Sequence, residues 1–148
     1  MNIKKILTFL LYLLPWFIGA IIFPTDKVYY ANLTKPFFAP PPIVFGIVWP
    51  ILYLLIAISI YKVINKSNNN YKISLIINYI SNQLFSLFFF TLKSPSLALI
   101  DTIIILISSI FLYRKTKKIN NNTSILLIPY ILWNTFASIL ISSIFIMN

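Results

Sequence analysis

Histidine, cysteine and glutamate are absent from this sequence, and its acidic groups are Asp26 and Asp101 alone. Without cysteine there is no disulfide framework. Without histidine there is no Ser-His-Asp or Cys-His constellation and no His-rich metal site. The two acids lie far apart in the chain and form no evident carboxylate pair. No metal, no resident cofactor and no conventional catalytic constellation are therefore expected. Charge is scarce as well: 9% of residues are charged and 59% are hydrophobic, against about 25% charged in an ordinary soluble domain. A soluble core this apolar would lack the polar surface needed to cover it. The composition predicts an integral membrane protein with one domain over residues 1–148.

What charge there is comes to +10. The basic residues fall between apolar runs, where membrane proteins carry their topology signals, so no nucleic-acid partner is expected. A helix needs about 20 apolar residues to cross a bilayer, with a lower limit near 17. Five segments qualify, at residues 6–23, 43–64, 73–92, 97–113 and 124–147. They predict an all-α polytopic membrane protein, a five-transmembrane-helix bundle. Lys4 and Lys5 ahead of an apolar run resemble a signal peptide, but the run is long and lacks a small-residue cleavage pattern. A retained helix is expected. Five spans place nine basic residues on one side of the membrane and Lys27, Lys35 and Lys93 on the other. In a bacterial inner membrane that asymmetry puts the N-terminus in the cytoplasm.

The first loop, residues 24–42, is long and carries apolar surface in Val28, Tyr29, Tyr30, Leu33, Phe37 and Phe38. Thr25-Asp26 can cap a short helix running to about Leu33. Pro40-Pro41-Pro42 is stiff and polyproline-like. The loop reads either as an interfacial aromatic belt or as a lid pinned to the second helix. In that helix Pro50 cannot donate to the carbonyl of Gly46 and predicts a kink. Gly46 would let another surface approach closely. Trp49 and Tyr53 share one face, which could wall a cavity or simply pack. The third helix sets Asn78, Asn82 and Ser86 at four-residue steps, with Gln83 beside them. Amides in hydrocarbon need partners, so these serve either interhelical hydrogen bonds or the polar end of a pocket. Asp101, the one acid within a span, is expected to pair with a third-helix amide or with Lys93. In the fifth helix Trp133 is followed one turn later by Ala137, an aromatic shelf with room above it.

Five stretches in register resemble one family. Lys35–Pro41, Val48–Tyr53, Asn78–Gln83, Ala98–Asp101 and Leu126–Ala137 are similar to the motifs of the TspO/MBR family, the tryptophan-rich sensory protein and translocator (peripheral benzodiazepine receptor) proteins. The resemblance covers nearly the whole chain. It implies a five-helix bundle, often a homodimer, that binds porphyrins such as protoporphyrin IX or haem, other lipophilic ring compounds and, in some members, sterols. It implies a pocket between the helices under the first loop, with Trp49 and Trp133 as its tryptophans. Tyr30, Pro41, Tyr53, Asn82, Gln83, Phe85, Ser86, Thr102 and Ala137 match further lining positions. Phe38 stands where the family often has tryptophan; it can stack but cannot donate an N–H. The animal members' sterol motif needs a tyrosine and a basic residue late in the fifth helix, and this chain has neither after Trp133.

On this reading the loop is a lid, and a flat tetrapyrrole is bound largely through its apolar area and its faces. Lys35 and the Asn82 and Gln83 amides are the candidates for its propionates. The expected function is that of a membrane receptor or sensor for porphyrins and similar ligands, in tetrapyrrole handling or stress response. The alternatives are light- and oxygen-dependent degradation of protoporphyrin IX, with Trp49 and Trp133 as redox-active groups, and a carrier for lipophilic ligands. No inverted repeat or charged pathway supports the carrier.

Overall fold

The apolar runs fold as helices and nothing else. The computed structural model of the protein describes residues 2–148, and no strand occurs among them. Five helices are long and apolar enough to cross a membrane: α1 (Ile3–Ile22), α3 (Pro42–Lys66), α4 (Asn69–Thr91), α5 (Pro95–Ile119) and α6 (Asn121–Met147). Their outward faces are apolar, with Leu11, Ile47, Ile76 and Ile103 among the exposed side chains, as lipid requires of a spanning helix. The chain is an integral, multi-pass membrane protein. A short helix, α2 (Lys27–Asn32), lies in the first loop.

The ends of these elements follow from their capping residues. Asn2, Asp26, Asn68, Ser94 and Asn120 each accept a backbone N–H from the first turn of the helix they precede, which satisfies donors that would otherwise be orphaned. Asp26 caps α2 as the sequence predicts. Pro41 takes φ −63° and ψ 151°, the polyproline geometry expected, and Pro42 opens α3, where its missing N–H costs nothing. Lys93 adopts φ 51°, a left-handed residue that ends α4 two residues before Pro95. The largest difference from expectation is α5, which runs to Ile119 rather than ending with the apolar run at Tyr113. Its last turns carry Arg114, Lys115, Lys117 and Lys118, and the Lys115 Nζ donates to the Asn70 carbonyl at 2.7 Å.

Helices α4, α5 and α6 pack side by side, while α1 lies on α3 with its first half and on α4 with its last turn. Pro15 divides α1 at that change of partner, through a 3-10 turn over Leu14–Phe17. The turn frees backbone groups, and α4 supplies what they need. Tyr79 Oη donates to the Pro15 carbonyl at 3.1 Å. The Gln83 amide serves two of them, donating to the Trp16 carbonyl at 3.4 Å and accepting from the Gly19 N–H at 2.6 Å.

The approach here is close enough to require glycine. A Cβ on Gly19 would stand 2.8 Å from the Gln83 carbonyl oxygen and 2.9 Å from its Oε1. Gly19→Ala is expected to destabilise the bundle by about 1–3 kcal/mol, the cost typical of overpacking. Unfolding in mixed detergent micelles measures it. A Gly19→Ala protein as stable as the parent would contradict this packing.

Two apolar cores result. One lies toward the basic side, around Ile56, Ile60, Leu112 and Tyr130, and the other lies under the loop, around Tyr30, Phe89, Ala98 and Leu140.

A candidate ligand cavity beneath the first loop

Between these cores the helices stand apart. A cavity of about 730 Å³ lies among α3, α4, α5 and α6, with the end of α1 and the first loop at its mouth. That volume falls within the range of about 300–1,000 Å³ found for small-molecule pockets. Trp49 and Tyr53 of α3 and Trp133 of α6 line it. The two indoles meet edge to face at 6.5 Å and 90°, and Trp49 lies against Tyr53 at 5.5 Å. Behind them Tyr53 stacks on the buried Trp16 at 5.7 Å, and Trp133 is braced by Phe136 at 5.4 Å. These contacts fix an aromatic wall of defined orientation. Ala137 lines the cavity one turn after Trp133, and Asn82, Phe85 and Ser86 of α4 and Thr102 of α5 form the facing side. The Thr102 hydroxyl is tied back to the Ala98 carbonyl. Tyr30 closes the top from the loop.

The remaining residues expected at the site lie elsewhere. Gln83 faces α1, engaged with Gly19 and Trp16. Lys35 turns back on its own loop, its Nζ donating to the carbonyls of Tyr30, Ala31 and Leu33 at 2.7, 3.1 and 2.9 Å. Phe38 packs on Phe37 and on Phe136 of α6. Pro41 caps α3 next to Pro42, which does line the cavity. Gly46 was expected to admit a close neighbour. A Cβ there would meet nothing within 4 Å, so this glycine leaves space instead. Residues that the sequence did not single out complete the lining, among them Phe17, Ala20, Phe45 and Lys27. Phe45 stands one turn before Trp49 and meets Trp133 at 5.8 Å, a position that helical spacing alone could have found.

A relay of buried hydrogen bonds underlies the cavity. Tyr53 Oη donates to Asn82 Oδ1 at 3.0 Å, and Asn82 Nδ2 donates to Tyr130 Oη at 3.3 Å. Tyr130 Oη donates to Asn78 Oδ1 at 3.0 Å, and Asn78 Nδ2 donates to Ser108 Oγ at 2.9 Å and to the Ile105 carbonyl at 3.2 Å. The α4 amides thus join α3, α4, α5 and α6, the interhelical role weighed for them from sequence. Asp101 is buried with Ser81 of α4 beside it. Neither partner expected from sequence holds it: the Asn78 and Asn82 amides are committed to the relay, and Lys93 binds Asp26 at 3.0 Å. No group of residues able to hold a metal ion occurs among the described residues.

The loop is tied to the helices at two points and braced within itself at a third. Asp26 accepts from the Tyr29 N–H at 2.9 Å while pairing with Lys93 at the α4–α5 turn. Tyr30 Oη donates to the Pro40 carbonyl at 3.4 Å, and burial raises its pKa above the usual phenol value, so the donor is retained. Thr34 exchanges two backbone hydrogen bonds with the Asn148 side chain, at 3.0 and 2.9 Å.

The Tyr29 N–H and the Lys93 ammonium both hold the Asp26 carboxyl below its ordinary value of 3.8. A carboxylate with a lowered pKa favours the folded loop above that value and loses its contribution as pH falls through the lower, folded one. The Asp26 contribution should therefore be present at neutral pH and fade on acidification below 3.8. Asp26→Asn is expected to speed amide exchange in α2 at neutral pH while leaving α4 and α5 unchanged. Hydrogen–deuterium exchange reads this directly, and unaltered α2 protection would show that the ion pair does not hold the loop.

Comparison with known proteins agrees with this architecture. The sequence matches the profile of the TspO/MBR family over residues 7–147. It is 32% identical to a tryptophan-rich protein TspO of Bacillus cereus, over 100% of this chain and 99% of that protein. It is 38% identical to a membrane protein, YtaB, of Bacillus subtilis, over 86% of this chain and 84% of that one. A tryptophan-rich sensory protein of Cereibacter sphaeroides is 26% identical, over 81% and 75% of the two chains.

Proposed function

The chain belongs to the TspO/MBR family, and from that premise we propose that it is a membrane receptor whose cavity takes porphyrins, such as protoporphyrin IX, and similar flat apolar ligands. The observation that carries the reading is the wall formed by Trp49, Tyr53 and Trp133, which lines about 730 Å³ of space under a fastened loop. A tetrapyrrole presents two broad π faces to such a wall, and burial of its apolar area at roughly 25 cal/mol per Å² supplies the driving force. Tyr30 and the loop cover the bound ring, and exchange requires the loop fastenings to open. A sensory role, as in the name of the Cereibacter relative, follows if ligand occupancy is passed on through the loop. In a bacterial inner membrane the distribution of basic loops favours a cytoplasmic N-terminus, with the lid on the opposite side.

A second reading is favoured by the indole pair itself. Trp49 and Trp133 are in edge contact and both line the cavity, where they could exchange electrons with a light-excited porphyrin while dioxygen serves as oxidant. Titration of the purified protein with protoporphyrin IX in the dark, followed by tryptophan quenching, tests the receptor reading. Illumination with the Soret band recorded tests the second. Saturable quenching without protein-dependent bleaching supports a receptor. Bleaching that Trp133→Phe abolishes while dark binding persists supports photochemical degradation. Absence of saturable quenching would refute both.

A further inference from the structure

The walls of this cavity are largely apolar, with neutral polar groups such as Asn82 and Thr102, and the charged end of an amphiphilic ligand calls for a cation. Three cations stand on the loop side of the membrane, and the structure separates their roles. Lys93 is engaged by Asp26 and lies over the Tyr29 ring at 5.6 Å. Lys35 is spent on three carbonyls of its own loop and lies over the Tyr30 ring at 5.0 Å. Lys27 alone of the three lines the cavity. Among the described residues its ammonium has no ion pair or ring contact, and no carbonyl holds it as Lys35 is held. Neither acid of the chain competes for it. Asp26, next in sequence, is turned to Lys93 and the Tyr29 N–H, and Asp101 is buried between α4 and α5 outside the cavity lining.

The position of Lys27 adds to its freedom. Thr25 also lines the cavity, so the residues flanking Asp26 form a polar lip while Asp26 itself points away. Below this lip the lining includes Ala20, Ile43, Gly46, Ile47 and Pro50, all accessible residues of α1 and α3. The lining is therefore polar at the loop and apolar along α1 and α3, as an amphiphilic ligand would require. Near such low-dielectric walls a unit charge pair interacts more strongly than in bulk water. The long lysine stem can lie along the apolar rim with its ammonium at the aqueous edge.

We propose that Lys27 is the anion-reading residue of this cavity, holding a carboxylate of a ring ligand whose apolar body lies against Trp49 and Trp133. The proposal rests on the ligand reading above and assigns to Lys27 the contact that the sequence suggested for Lys35.

The test compares protoporphyrin IX, which carries two carboxylates, with its uncharged dimethyl ester. Both are titrated in the dark into the full-length protein and into its Lys27→Met and Lys27→Arg variants. Loss of a charge-assisted hydrogen bond is expected to weaken the diacid about tenfold or more in Lys27→Met. The ester should bind all three proteins equally, and Lys27→Arg should keep most of the diacid affinity. Added salt should weaken the diacid more than the ester. Equal weakening of both ligands in Lys27→Met would overturn the proposal, since Lys27 would then contribute packing rather than charge. An unchanged diacid affinity would overturn it as well. If the parent protein bound neither ligand, the porphyrin reading would fail first, and the Lys27 assignment with it.

Discussion

Asn78→Leu is expected to be among the most damaging single substitutions in the bundle, although it swaps a polar residue for an apolar one inside a membrane protein. Asn78 is fully buried and its amide is saturated, with two donor contacts to α5 and one acceptor contact from Tyr130 of α6. Leucine cannot accept the Tyr130 hydroxyl proton, and Tyr130 is itself fully buried. A buried donor left without a partner costs about 1–3 kcal/mol. Interhelical hydrogen bonds in membranes contribute about 0.6 kcal/mol each on average, with a maximum near 1.7. The orphaned hydroxyl, more than the lost bonds, therefore sets the size of the effect.

A double-mutant cycle separates these terms. Tyr130→Phe removes the orphan, so the double variant should lose less stability than the two single losses added together. Unfolding in mixed micelles provides the free energies. Strict additivity would mean that the relay across four helices is not an energetic unit.

Much of this architecture is legible in the sequence, for a physical reason: lipid tolerates only long apolar helices, so long apolar runs announce them. The limit of that signal shows in α5. Charge at Arg114 marks where hydrocarbon ends, whereas the helix continues to Ile119 because its backbone bonds do not need lipid. The aromatic wall is legible too, since Trp49 with Tyr53 and Trp133 with Ala137 are each one turn apart on a single face.

Adjacent residues are harder. Asn82 and Gln83 differ by one position, about 100° around a helix. One joins the relay beside the cavity, and the other repairs the backbone of α1 at Pro15. The hint for Gln83 lay not in α4 but in that proline, whose break leaves carbonyls in need of donors. Lys35 and Lys27 could not be ranked without coordinates either. Only the fold shows that Lys35 is consumed by carbonyls of its own loop. The close approach expected at Gly46 occurs at Gly19 instead, and Gly46 keeps a space open.

That space leads to the second large effect. A Cβ at Gly46 would meet no atom within 4 Å, so a larger side chain there needs no rearrangement of the bundle. Glycine inside a helix is also less favourable than alanine by roughly 0.5–1 kcal/mol. Gly46→Leu should therefore leave stability unchanged or improved. Its isobutyl group would project from the cavity lining, one turn before Pro50 and beside Trp49. A ligand held against the indoles must share that volume, and steric exclusion should weaken it about tenfold or more, equivalent to roughly 1.4 kcal/mol.

The central claim is that ligands occupy this cavity rather than the lipid-facing surface or the loop exterior. Dark titration of protoporphyrin IX into the parent protein and into Gly46→Leu, with unfolding measured on both, tests it most directly. The account predicts a fully folded variant with strongly weakened binding. A folded Gly46→Leu protein that binds protoporphyrin IX as tightly as the parent would contradict it.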